Sequence, residues 1–181
     1  MKPAKRSFKP VAFSFSRNKN DALWGALIAV LGLSIIFWSR EKLPVMLGFD
    51  FREERCLPDV KAALLVKGPH TNYSHGELVY FPPPPALAYV KAPYVMKRIA
   101  GVSGDRLRIF ADGRIEINGS IVANGLPLSK LYNKRIQDLT RNEIIPKNML
   151  FLIGTHPLSD DSRYWGYMQA DKILGLGYRL F

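Results

Sequence analysis

Between Asp21 and Arg40 the chain carries no charged side chain, and from Ala22 to Trp38 (ALWGALIAVLGLSIIFW) every residue is apolar or small. Such a run is near the lower length limit for a helix that crosses hydrocarbon. Trp24 and Trp38 stand near its two ends, where interfacial aromatics belong. A cleaved signal peptide is one alternative, but Ser39-Arg40-Glu41-Lys42 follows the run in place of a small-x-small cleavage site. A buried core helix is another, weakened by the absence of a polar face. The reading is therefore a basic tail over 1–20, a transmembrane helix over 21–39, and an outer domain over 40–181. Six Lys or Arg precede the run against Asp21 alone, net +5, and only Arg40 and Lys42 follow closely. That asymmetry keeps the tail cytoplasmic and places the bulk of the chain outside, which in a bacterium means an inner-membrane protein facing the periplasm.

The rest of the charge follows from this. Net charge is +11 over 181 residues, and beyond the tail there is no run of like charges. Neither ribonucleoprotein motifs nor paired Cys and His with metal-finger spacing occur, so the basic balance reads as a membrane-orientation signal, and neither a nucleic-acid partner nor a metal or other cofactor is expected. Cys56 is the single cysteine, so no internal disulfide can form. Glu54 and Arg55 before it exclude a lipoprotein acceptor, which needs small residues there.

Beyond a short linker the pattern is mostly β. Ala62 to Lys67 reads as an apolar strand. Gly76 to Phe81 reads as another, stopped by Pro82 to Pro85, which cannot donate to a ladder. Leu107 to Phe110 and Arg114 to Asn118 alternate around Asp112-Gly113, a hairpin signature. Asn118-Gly119 and Asn124-Gly125 are further turn signals. Residues 129–147 are charged and poorly periodic, and read as a surface excursion. Met149 to Ile153 is a last apolar strand.

Within this frame the stretch from Tyr94 to Asp105 stands out. Val95, Lys97 and Ile99 share one face of a strand, and two apolar β-branched neighbours mark that face for burial. A buried ammonium must find a partner or lose its proton. The alternatives are that Arg98 faces inward, or that Lys97 snorkels to water.

Three pieces stand in order after the apolar run: Cys56-Leu57-Pro58; Lys97-Arg98 followed by Gly104-Asp105; and Ser159-Asp160-Asp161-Ser162-Arg163 followed by Gly166. Together they resemble the type I signal peptidase family, membrane-bound serine–lysine dyad peptidases, over residues 20 to 180. Within the family the chain looks most like the TraF-type peptidases of conjugative transfer systems, whose nucleophile lies two residues before a proline. The resemblance implies a mainly β, signal-peptidase-like domain on one N-terminal transmembrane helix. It implies Lys97 as general base, Ser159 as its orienting hydroxyl, and Asp161 and Arg163 as supporting residues. The nucleophile position falls on Cys56 where the family norm is serine, and the upstream oxyanion hydroxyl is replaced by Glu54. The implied partner is an exported protein, most specifically a pilin precursor, and the implied activity is its endoproteolysis.

A cysteine changes the chemistry of such a dyad. A free thiol titrates near ~8.5 and a free lysine near ~10.4, so the first proton normally leaves sulfur to give a thiolate–ammonium pair; the alternatives are a desolvated, neutral Lys97 and an inert buried thiol beside Pro58. A thioester also reacts readily with amines, so a substrate N-terminus held nearby can close the chain into a ring instead of yielding to water. Some TraF-type members join pilin ends in this way. The non-enzymatic reading is an inactive scaffold or assembly factor of the transfer apparatus. His75 and His156 read as solvated loop residues, and Asp160 and Asp161 as salt-bridge partners of Arg163 ahead of a metal pair.

Overall fold

The structure is a computed structural model that describes residues 19–39, 44–53, 55–68 and 70–181. It falls into two compact units, 1–43 and 44–181. In the first, the described chain is one helix, α1 (Lys19–Ser39). Its described side chains are exposed on every face, among them Leu23, Trp24, Leu27, Ile28, Val30, Leu31 and Leu33. The expected span over 21–39 is thus helical. Among the described residues, however, no helix is long and apolar enough to cross a membrane. The side chains of 35–39 and all of 40–43 lie outside the described residues, as does the expected basic tail up to residue 18.

The second unit is mainly β and wholly antiparallel in its pairings. Its strands are β1 (Val45–Phe49), β2 (Ala62–Lys67), β3 (Leu78–Phe81), β4 (Val95–Gly101), β5 (Arg106–Ile109), β6 (Arg114–Ile117), β7 (Ser120–Asn124), β8 (Arg141–Ile144), β9 (Met149–Ile153), β10 (Met168–Gln169) and β11 (Gly175–Arg179). Two short helices, α2 (Ile136–Leu139) and α3 (Ser162–Trp165), lie among them. Seven strands form one sheet in the order β1-β2-β11-β3-β4-β9-β10, and four form a second in the order β7-β6-β5-β8.

The small sheet follows from local rules. In β5 exposed and buried residues alternate, so Leu107 and Ile109 turn inward while Arg106 and Arg108 stay in solvent. Leu107 pairs with Ile117 and Ile109 with Ile115, and all four are buried. Each such side chain contributes about 1.5–3 kcal/mol by leaving water. At the tip of the next hairpin Asn118 and Gly119 both take positive φ, 51° and 84°, the backbone that a two-residue primed turn requires.

Three of the strands that the sequence reading does not give shape the two sheets. The stretch expected to be a linker contains β1, whose Val45, Leu47 and Phe49 stay exposed at the sheet edge. The chain end forms β11, which inserts between β2 and β3. The expected surface excursion over 129–147 instead supplies β8, which pairs with β5, and two core residues, Leu139 and Ile145. Its strand is held by the backbone ladder more than by its own burial, so no amphipathic period announces it.

β4, between β3 and β9, carries the buried lysine. Lys97 and Ile99 are buried at 2% and 1% exposure, so the lysine sits inside as the alternation expects. Arg98 turns the other way and bonds Asp59 at 2.8 Å and the Gly76 carbonyl at 2.9 Å.

Candidate active site

The polar centre of the large unit is the turn that follows β9. In this turn Ser159, Asp160, Asp161, Ser162 and Arg163 are consecutive and all buried. Burial of five polar side chains is tolerable only if each finds partners. Asp161 caps α3: its carboxylate accepts from the Arg163 backbone N–H, a position where a short acceptor satisfies an orphan helix donor. The same carboxylate takes Arg163 Nε at 2.7 Å and Nη2 at 2.9 Å, a bidentate pair, and the Gly154 N–H at 2.9 Å. Arg163 Nη2 also donates to the Ser159 carbonyl at 3.0 Å. Burial alone would lower the Arg163 pKa, but the hydrogen bonds and charge of Asp161 outweigh it and raise it above its ordinary value. Ser162 Oγ accepts from the Leu152 N–H at 2.9 Å, fastening the turn to β9.

This scaffold positions one hydroxyl. Ser159 Oγ accepts from Lys97 Nζ at 2.9 Å, across 62 positions of sequence. Among the described residues Lys97 pairs with no carboxylate, because the Arg163 guanidinium occupies Asp161.

Cys56 comes from the loop after β1 and is half-buried. Its carbonyl accepts from the His156 N–H at 3.1 Å, which ties it to the turn after β9. Gly154 makes that approach possible: a Cβ there would overlap both Ser159 Oγ and the Cys56 carbonyl. Cys56 and Lys97 line one groove of about 650 Å³, together with Leu57, Val60, Leu65, Leu87, Val90 and Tyr94. Among the described residues no hydrogen bond joins the thiol to the Lys97 ammonium.

The structure therefore gathers Lys97, Ser159, Asp161 and Arg163 in one bonded cluster, and Cys56 lines the groove that Lys97 also lines. Glu54, which occupies the expected oxyanion-hydroxyl position, lies outside the described residues. Asp160 corrects the sequence reading: it does not pair with Arg163, but accepts from Tyr89 Oη at 2.8 Å and from Tyr132 Oη. Those two tyrosines carried no local signal; Tyr89 follows a proline run and Tyr132 lies in the supposed excursion. His75 is not simply solvated either. It pairs with Asp105 at 2.7 Å, and Asp105 also accepts from the Val102 N–H and Asn118 Nδ2, holding the turn after β4. His156 Nδ1 accepts from the Leu158 N–H at 3.2 Å within its own turn.

Comparison with known proteins gives one family. A family model described as signal peptidase, peptidase S26, matches residues 53–179. Among solved structures, a signal peptidase I from Enterococcus faecalis is similar at 23% sequence identity and a TM-score of 0.37, covering 59% of this chain and 97% of that chain. No curated protein matches the sequence.

Proposed function

The chain belongs to the signal peptidase family, peptidase S26, and on that premise we propose that it is a membrane-anchored endopeptidase with Cys56 as nucleophile and Lys97 as its proton partner. The observation that carries the finer reading is Lys97: 2% exposed, held by a serine hydroxyl, and lining the groove that Cys56 also lines. A lysine buried for structure alone pairs with a carboxylate. Here the nearby carboxylate is spent on Arg163, which leaves the ammonium for chemistry.

In the proposed reaction Cys56 Sγ, as thiolate, attacks the scissile carbonyl carbon. The C–N bond breaks, Lys97 gives its proton to the leaving amine, and a thioester remains. Water then attacks that thioester, passes a proton to neutral Lys97, and the C–S bond breaks to restore the thiolate–ammonium pair. Ser159 holds Nζ in line through both steps.

The substrate in this reading is an exported protein laid along the groove, most specifically a pilin precursor of a conjugative transfer system. Its support is the spacing of Cys56 from Pro58, which is that of TraF-type peptidases. An amine in place of water would join substrate ends, with the same bonds made and broken at sulfur. The helix Lys19–Ser39 is the proposed inner-membrane anchor, supported by the charge-free sequence of 22–38 and by apolar side chains exposed all round its described part.

Exchange of one atom tests the proposal. Cys56→Ser is expected to keep substrate maturation and Cys56→Ala to abolish it, read by mass spectrometry of candidate pilins. Normal maturation with Cys56→Ala would move the chain to the scaffold reading. Protease accessibility in spheroplasts tests the anchor: residues after 40 are expected to be cut and the basic tail protected.

A further inference from the structure

The groove has one wall with little holding it. Between β3 and β4 the chain runs from Pro82 to Tyr94 and carries five prolines, Pro82 to Pro85 and Pro93. Its backbone hydrogen bonds are internal, Leu87 to Pro84, Ala88 to Pro85 and Val90 to Leu87. It is anchored by packing at two points, the buried Leu87 and the edge contact of Tyr94 with Tyr80 at 5.6 Å. Among the described residues a single hydrogen bond ties this segment to the rest of the unit: Tyr89 Oη donating to Asp160 Oδ2 at 2.8 Å. Tyr89 is 63% exposed and lines the groove, so its ring gains little by burial and the hydroxyl is what locates it.

The other end of that bond is rigid. Asp160 is buried, its second oxygen accepts from Tyr132 Oη, and Tyr132 stacks on Tyr164 at 5.3 Å. Asp160 lies between Ser159, which holds Lys97, and Asp161, which holds Arg163. Desolvation of the two hydroxyls, where they meet the buried Asp160, and the Asp160 carboxylate itself push both phenols well above their usual range, so both stay donors across neutral pH.

We propose that Tyr89 and Asp160 form a latch that fixes the Pro82–Tyr94 wall to the turn carrying Ser159, and so sets how wide a substrate can lie beside Cys56. The pair are positioning residues: neither transfers a proton, and both act through the groove they hold closed. This inference rests on the peptidase reading for what the groove admits, but the latch itself is open to measurement without catalysis.

Two readouts on the full chain need no activity. Lys91 is exposed within the wall, so trypsin cleavage after it reports wall opening. Cys56 is the chain's single cysteine, so the rate ratio of fluorescein maleimide to iodoacetamide labelling reports groove width. Tyr89→Phe keeps the ring and removes the bond to a charged acceptor, and is expected to raise both quantities about tenfold. Tyr132→Phe leaves that bond in place but frees one Asp160 oxygen, and is expected to raise both quantities by no more than about threefold. Values within about twofold for Tyr89→Phe would overturn the latch. Equal acceleration by Tyr132→Phe would overturn it too, by reducing the effect to a general loosening of the turn. On a precursor that the wild type cleaves, Tyr89→Phe is expected to raise KM about tenfold with kcat nearly unchanged. A loss of kcat with KM unmoved would overturn the assignment to groove width. A wild-type chain that cleaves no precursor would sink the peptidase reading while the trypsin and labelling results still judge the latch.

Discussion

The small sheet and the turn after β9 solve the same problem, burial, in opposite ways. In the sheet the buried residues Leu107, Ile109, Ile115 and Ile117 are apolar and need only be excluded from water. In the turn the buried residues Ser159 to Arg163 are polar, and their stability depends on hydrogen bonds to one another and to β9, Lys97 and two tyrosines. Apolar burial degrades gradually when an atom is lost, whereas a polar set left with one member unpaired fails abruptly. The site is therefore the stiffer and more fragile part of the unit, which suits a lysine that must be held in one place.

Substitutions across the two regions test this difference. The largest effect is expected from Arg163→Ala, which leaves Asp161 buried without its cation and costs about 3–5 kcal/mol of stability by chemical denaturation of the full chain. Next, Gly154→Ala forces a Cβ against Ser159 and the Cys56 carbonyl. It is expected to cost about 1–3 kcal/mol, and a shift of the two site segments lowers activity about 100-fold. In the small sheet Ile115→Val removes one methyl from a fully buried position and is expected to cost about 0.5–1.5 kcal/mol. Should Ile115→Val cost more than Arg163→Ala, the contrast between the regions collapses.

The smallest effect concerns pH and Asp105, beside the small sheet. Burial alone would raise its pKa, but the Val102 N–H, His75 and Asn118 together hold it below the ordinary 3.8. A depressed carboxyl stabilises the fold fully above the unfolded value of 3.8, and that stabilisation is lost as pH falls through the folded value. The stability gap between the wild type and Asp105→Asn is expected to be constant at neutral pH and to close below about pH 3.8, followed by denaturation midpoint against pH. A gap that persists in acid would assign Asp105 a role independent of its charge.

Much of this molecule was open to reading from local pattern. Strands β2 and β9 carry unbroken apolar runs, β5 and β6 alternate around a turn dipeptide, and β4 places Lys97 between Val95 and Ile99. Each is a statement about neighbours a few residues apart, where backbone sterics and side-chain period act directly. The charge-free run of 22–38 is readable for the same reason. Strands β1 and β8 were not, since their place is set by the partner strand they pair with and not by a buried face of their own; β11 was not either, because two of its three buried residues are glycines, which carry no apolar signal.

The sequence by itself determined which residues were available: a lysine on a strand face marked for burial, one cysteine two residues before a proline, and an Asp-Ser-Arg turn. Only the tertiary structure decided who meets whom. It brought Ser159 to Lys97 across 62 positions, gave Asp161 to Arg163, and gave Asp160 to two tyrosines from separate loops. The physical reason is that a polar group leaving water takes whichever partner the sheet register and the close approach at Gly154 bring within about 3 Å, and no local propensity encodes that distance.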